Sequence, residues 1–468
     1  MSSPRVNDAA ASPNLLVISD VHLGADLQEG RYRRLRRLAQ LDHELSEFLD
    51  HYRASPTDGR PWRLIIGGDL IDFMNVHIRP TAAEREDLRA RAEELKEDAD
   101  VAEGETVRRK LVRVIVRHRD AFAALARFIA AGHEVVIVHG NHDAEFYWPE
   151  VRAELIGRLA GLCAEALGVE FSDAAERVQS AVTFTPWFYY EPGLVYVEHG
   201  HQYDEFCSFD YLLAPVDDTA GRLVDNTATL ATRRVTLNVP GFVGEETRHW
   251  TLLDYGRWLW RLGPRRAVGI VALYFVLAAG LLDLWWQTVR GRLAAAKGLH
   301  RRNLRAFAER MRLPLETVLA IDGLRQRPVQ WYLGKVVRLL FLDGLFIFLT
   351  GAALAWFAIT SEATGLRGTL LGVAAAATLG LSIARFARRG YGDGGTLQAP
   401  RARLIRDLLS VRFVVMGHSH AARVQPLGNE GLFFNTGSWV EGTPMHVLIR
   451  RAADDGPHAE LLPWTTRA

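Results

Sequence analysis

Residues 134–143 read EVVIVHGNHD. Four consecutive apolar residues, Val135–Val138, run straight into His139, Gly140, Asn141, His142 and Asp143. A short, unbroken apolar run marks a strand covered on both faces. Gly-Asn is also ordinary turn chemistry, so this turn alone decides nothing. The arrangement recurs, however. Leu15–Ser19 ends at Asp20, and Trp62–Ile66 ends at Gly67-Gly68-Asp69. Leu194–Val197 ends at Glu198–His201, and Arg412–Val415 ends at Met416–His420. Helical patterns such as Tyr32–Tyr52 and Arg108–Ala131 lie between these runs. Strands alternating with helices predict a layered α/β fold. In such folds ligands bind beyond the carboxyl ends of the strands, where all five polar clusters fall.

The remaining composition narrows the classes. The chain has 468 residues and a formal net charge of +1, so total charge gives no argument for a nucleic-acid partner. Lys occurs only at 96, 110, 297 and 335, so a single Arg carries no special weight as a phosphate contact. Two cysteines, Cys163 and Cys207, cannot make a disulfide framework and suit a reducing compartment. Residues 1–14 are small and polar, and are expected to be unstructured and not a secretory signal. Thr81–Glu105 is acidic and reads as a solvated helix. Phe206–Arg261 has no clean period and reads as a cap or loop-rich insertion.

Taken in order, the clusters are Asp20-x-His22, Gly68-Asp69-x-x-Asp72, Gly140-Asn141-His142-Asp143, His199-Gly200-His201 and Gly417-His418-Ser419-His420. Each alone is weak, but five at strand ends form a set. Carboxylate, imidazole and amide oxygen suit divalent metals such as Mn, Fe, Zn or Co. No Cys joins them, which argues against a structural zinc site. The donors exceed the needs of one ion, and Asp69 could bridge two. Ions about 3.5–4 Å apart can activate water and clamp a phosphoryl group.

As a set, these clusters resemble the calcineurin-like metallophosphoesterase family, over about 15–201 and 411–440. The resemblance implies a double-layered β-sandwich flanked by helices, with two divalent metal ions at the strand ends. By motif, Asp20, His22 and His420 would hold one ion. Asn141, His199 and His418 would hold the other, with Asp69 between them. His142 would serve the leaving group, and Asp72 would hydrogen-bond to it and fix its tautomer. Of the His199/His201 pair the first is the expected ligand, and His201 is a candidate substrate contact. His139, Asn435 and Ser438 are expected to be structural. "LLVISDVHLGAD", "GGDLIDFM" and "EHGHQYD" look like the branch near bacterial UDP-2,3-diacylglucosamine pyrophosphatases. That branch tends to carry Arg where His142 stands and Asp where His201 stands, and it lacks long apolar insertions. The reaction class therefore transfers and the substrate does not.

Ala267–Leu282, Leu339–Thr360 and Gly368–Ala384 are apolar, and membrane helices are preferred here over buried core helices. The clusters at 20–201 and 417–420 must meet on one side of a membrane, so the chain between them crosses an even number of times. Three spans break that parity. Arg257, Arg261, Arg265 and Arg266 precede the first stretch, and Arg290, Arg292, Lys297, Arg301, Arg302 and Arg305 follow it. It is expected to lie in the interface or to re-enter. The other two would form a hairpin. The expected layout is a phosphoesterase domain over 15–205 and 391–468, a cap over 206–266, and a membrane-associated helical insertion over 267–390. The expected function is a metal-dependent hydrolase of a phosphoester or pyrophosphate at the cytoplasmic face of the membrane, with a lipid-linked substrate suggested by the membrane tether. Manganese is the favoured metal. A phosphodiesterase or phosphoprotein phosphatase on soluble substrates, and a membrane scaffold with a vestigial metal fold, are the alternatives. No nucleic-acid partner is expected.

Overall fold

The computed structural model describes residues 12–27, 35–76, 99–217, 222–235, 239, 252–361, 364–387, 395–428, 430–451 and 456–465. The chain divides into two compact units. One comprises Met1–Val224, Leu293–Arg327 and Gly394–Ala468, the other Asp225–Arg292 and Pro328–Asp393. The strands are β1 (Asn14–Ile18), β2 (Trp62–Gly67), β3 (Glu134–Val138), β4 (Val182–Thr185), β5 (Phe188–Glu191), β6 (Val195–Glu198), β7 (Val216–Asp217), β8 (Arg222–Leu223), β9 (Phe413–Met416), β10 (Arg423–Gly428), β11 (Gly431–Asn435), β12 (Met445–Arg451) and β13 (Pro457–Pro463). The helices of eight or more residues in the first unit are α1 (Leu35–Ala54), α2 (Ala99–Arg117), α3 (Arg119–Ala130), α4 (Pro149–Leu167) and α5 (Phe171–Ala181), followed, after those of the second unit, by Ala294–Met311, Leu315–Asp322 and Gln398–Leu409.

Two sheets stack to form the first unit. One has the order β13-β12-β1-β2-β3-β4, the other β10-β11-β9-β6-β5. β1 to β4 are mutually parallel, as are β6, β9 and β11, while β12, β13, β5 and β10 pair antiparallel at the flanks. Alternate residues explain the unbroken apolar runs. Leu15, Val17, Ile65, Val136, Val138, Val197 and Val415 pack between the sheets. Leu16, Ile18, Leu64, Ile66, Ile137 and Val414 face the outer layers. Both faces of each strand are therefore covered. The five expected strands lie within one residue of the observed ones.

Three expectations need correction. Asn14, placed in the unstructured N-terminus, begins β1, where its side-chain carbonyl accepts the Arg451 N–H at 2.9 Å. Residues 1–11 of that stretch, and 77–98, which hold most of the acidic helix and His77, lie outside the described residues. The helix expected over Arg108–Ala131 breaks at His118 into α2 and α3. The segment 293–327, placed inside the membrane insertion, packs into the first unit instead. Its Phe307 sits edge-on to Phe188 at 4.8 Å, and Leu304, Ala308, Val318 and Ile321 join the same core.

His118 has a testable role at that break. It is fully buried, with Nδ1 2.7 Å from Asp42 and Nε2 3.2 Å from Asp26. Burial pushes its pKa down, but the two carboxylates outweigh this and raise it above the ordinary value. A raised folded pKa stabilises the fold fully below about pH 6.5, and the gain is lost as pH rises through the folded value. The stability difference between wild type and His118→Gln, read by amide hydrogen exchange in α2 and α3, should therefore shrink as pH rises from 6 to 8. A difference that grows over that range would contradict the pairing.

The second unit is helical. In chain order its longer helices are α6 (Thr227–Arg234), α7 (Leu252–Leu262), α8 (Pro264–Val289), α9 (Leu342–Thr360) and α10 (Gly365–Ala387). Asn226 caps α6 by accepting the Thr229 N–H at 2.8 Å. α9 and α10 form an antiparallel pair. Gly351 lets the backbones approach beside Thr378 and Leu379, Ser382 donates to the Gly344 carbonyl at 2.9 Å, and Arg385 lies 3.7 Å from Asp343. α8 packs Gly280 against Leu230 of α6, and Tyr274 donates to the Leu340 carbonyl. By length and composition α8, α9 and 365–385 of α10 could each cross a membrane.

Candidate metal centre

β1, β2, β3, β6 and β9 all deliver their carboxyl ends to one place, and the turns that follow are unusual. Asp20, His22, Asp69, His418 and His420 all have φ between 51° and 67°. Non-glycine residues rarely enter this left-handed region, and it costs on the order of 1–3 kcal/mol each. Such conformations persist only where surrounding contacts over-determine them. Here the turns bind one another. Asp20 N–H donates to the Gly68 carbonyl at 3.1 Å, His22 N–H to Asp69 O at 2.9 Å, and Gly417 N–H to His199 O at 3.0 Å. The His418 N–H donates to the Asp20 carboxylate at 3.0 Å across 398 positions of sequence. Glycine is required at two points of close approach. A Cβ on Gly140 would collide with the Asp69 carboxylate, and one on Gly68 with the His199 ring.

The donors fall into overlapping groups. Asp20, His22 and His420 form one, and Asp20, Asp69 and His199 another. His420 Nε2 is 3.2 Å from Asp20 Oδ1 and 3.3 Å from His22 Nε2. Asp69 Oδ2 lies 3.1 Å from His199 Nε2 and 3.7 Å from His22 Nε2, so it faces both sides. The Asn141 side-chain oxygen is 3.1 Å from His199 Nε2. Among the described residues, Asp20, Asp69 and Asp72 form ion pairs with histidines and with no Lys or Arg. Buried carboxylates paired with imidazoles and with no Lys or Arg, beside an amide oxygen, are a donor set that divalent cations fit. Burial alone would raise the pKa of Asp69, but His199, His142 and His22 hold it well below the usual carboxylate range. Burial also lowers His199, but Asp69 and Asp20 outweigh it and raise the imidazole to about 9.

His142 lies beside this cluster. Its Nδ1 is 3.0 Å from Asp72 Oδ1, its backbone N–H donates to Asp69 at 2.9 Å, and its ring meets that of His22 edge-on at 4.6 Å. Its side chain is 16 % exposed, against 2 % for Asp72. His418 is near His199, with ring centroids 5.2 Å apart, but its Nε2 faces Asp204 Oδ2 at 3.2 Å. His201 is buried among His199, His418 and Phe209. Burial and the neighbouring His199 and His418 charges hold it neutral.

Several supporting residues were missed in the sequence. Asp204 meets His418, and Glu441 lies 3.4 Å from His420 Nδ1. Asp143 accepts the Gly140 N–H at 2.6 Å and the Leu70 N–H at 2.7 Å, joining two of the turns. Gln398 donates to the Gly417 carbonyl at 2.8 Å, the same oxygen that Asn435, already expected as a structural residue, reaches at 2.7 Å. Asp143 and Asp204 stood inside quoted motifs. Glu441 and Gln398 had no local signal, because nothing about their neighbours in sequence shows what lies beside them in space.

Parallel-strand ends carrying carboxylates and imidazoles form a candidate site for divalent cations. More particularly, residues 13–226 match the model of the calcineurin-like phosphoesterase family. That family uses a dinuclear divalent metal centre. The matched segment carries Asp20, His22, Asp69, Asn141 and His199, while His418 and His420 lie outside it. No curated protein matches the chain.

Proposed function

We propose that this domain hydrolyses a phosphoester or pyrophosphate bond of a lipid-linked substrate at the cytoplasmic face of a membrane. The observation that carries the reaction class is the meeting of Asp20, Asp69 and His199 with His420 and the His142–Asp72 pair. In this reading Asp20, His22 and His420 hold one cation. Asn141, His199 and His418 hold the second, and Asp69, facing both His22 and His199, lies between. Bound there, a pair of divalent cations supplies Lewis acidity toward the phosphoryl oxygens and lowers the pKa of attacking water. Manganese is the first metal to test.

The chain's own groups do the rest. Asp72 accepts from Nδ1 of His142, which fixes the tautomer and presents Nε2 to the departing oxygen. A carboxylate partner favours the imidazolium form that a general acid needs. The Asn141 amide orients the phosphate, and burial of the carboxylates limits competing water. His201, enclosed by rings, is given a supporting place behind His199 and not a contact with substrate. The apolar helices of the second unit support a lipid-borne substrate, with α9 and α10 as a two-span hairpin.

Asp204 is assigned as the outer partner of His418. Its Oδ2 lies 3.2 Å from His418 Nε2. Loss of such an outer partner lowers metal affinity about 10–100-fold. Asp204→Ala should show that loss when metal-stripped protein is titrated with Mn, and Asp204→Asn a smaller one. Unchanged affinity in both would remove Asp204 from the site. The function itself is tested by a screen of phosphoesters with Mn. Detergent-dispersed phospholipid and lipid pyrophosphates are compared with cyclic nucleotides and phosphopeptides. Preference for the soluble esters would overturn the lipid assignment and leave the hydrolase standing.

A further inference from the structure

Each excursion of the chain from the sheet-bearing unit must end on the side of the membrane where it began. Segments 1–224, 293–327 and 394–468 belong to that one unit. The excursions 225–292 and 328–393 must therefore each cross an even number of times. The second contains α9 and α10 and satisfies the condition as a hairpin. The first contains α8 as its single candidate span among the described residues. α7, with 11 residues, is too short for the ~20 a span needs. The sequence from 235 to 251 carries Asn238, Pro240, Glu245, Glu246 and Arg248, too many polar groups for a span.

We infer that α8, the longest of the three apolar helices, does not cross the membrane but lies along its surface with one face in the lipid. The inference rests on the membrane reading above. Length alone argues the other way. At about 1.5 Å per residue the 26 residues of α8 reach ~39 Å, more than the ~30 Å hydrocarbon core. Closure of the sheet-bearing unit overrides length, since separating its parts by a bilayer would break its core.

The helix has the two faces this placement demands. Ala278, Leu281 and Thr288 are buried within the second unit, and Gly280 abuts Leu230. Val268, Val271, Phe275, Val276, Leu282, Trp286 and Val289 are exposed. All but Val276 recur at intervals of three, four and seven, a stripe along the helix. Over the C-terminal half of α8 this stripe is a separate face from the one that packs on protein. The ends are set for headgroups. Arg265 and Arg266 are exposed at the N-terminus, and Arg290 stacks over Trp286 at 4.3 Å at the other. On α7, Trp260 is 89 % exposed, with Arg257 and Arg261 exposed beside it. Cationic and aromatic residues together fit an anionic lipid surface.

The test uses the full chain in sealed membranes of known orientation. Both native cysteines are buried, so a membrane-impermeant maleimide reports on engineered positions. Arg261→Cys should label from the same side as a C-terminal tag, and Ser361→Cys from the opposite side. Labelling of Arg261→Cys from the side opposite the tag would overturn the inference. Labelling of both positions from the tag's side would sink the α9–α10 hairpin of the preceding section and leave α8 on the surface. Spin labels at 268, 275, 282 and 289 supply a second readout. Uniform shallow depth is expected. A profile deepest at the middle and shallow at both ends would mean that α8 spans.

Discussion

His142→Ala is expected to lower kcat on the natural phosphoester by about 10²–10⁴-fold, the usual worth of a positioned general acid, while metal content stays at the wild-type level. The split follows from geometry. His142 shares a possible donor group with His22 and Asp72 but none with Asp20, Asp69 or His199, and its Nδ1 faces Asp72 at 3.0 Å. Removing it leaves the cation-binding groups in place and deprives the leaving oxygen of its proton. The defect should therefore shrink on an aryl phosphate whose leaving group departs without protonation. Asp72→Asn should act in the same direction and more weakly, because it disturbs orientation without deleting the imidazole. Loss of bound metal in His142→Ala, or an equal defect on every leaving group, would place His142 in the cation site instead.

Asp69→Asn should be the more damaging change, taking activity to background together with metal. Asp69 is buried and touches four partners through one carboxylate. It reaches His199 at 3.1 Å and His22 at 3.7 Å, accepts the His142 N–H at 2.9 Å, and lies against Gly140. An amide keeps the shape but removes the negative charge that faces both proposed cations. The fall in affinity should exceed the ~10–100-fold lost with an outer partner such as Asp204. Equilibrium dialysis with Mn would measure it. Two ions retained by Asp69→Asn would exclude a bridging carboxylate.

The two experiments also separate the readings at stake. A scaffold with a decayed site would bind no divalent ion and would respond to neither substitution. A hydrolase of soluble esters would respond to both and ignore the lipid substrates.

The candidate site was legible to an unusual degree because its chemistry lies where local sequence is most informative. A strand covered on both faces reads as an unbroken apolar run, and the residue that ends it is easy to see. Asp20, Asp69, Asn141, His199 and His418 each follow such a run. Interruptions were legible too, since an apolar stretch of membrane length needs no partner to be noticed. Supporting residues were not. Glu441 beside His420 and Gln398 beneath Gly417 carry no period and no motif. The break of a long helix at His118 depends on Asp26 and Asp42, which come from other elements.

Sequence by itself determined the strands, the order of the five clusters and the presence of three apolar helices, because periodicity and residue type are local properties. Only the tertiary structure decided that Asp20 meets the 417–420 turn and that 293–327 belongs with the sheets. Those are facts of closure between distant segments, set by which buried surfaces fit together, and no window of neighbouring residues contains them.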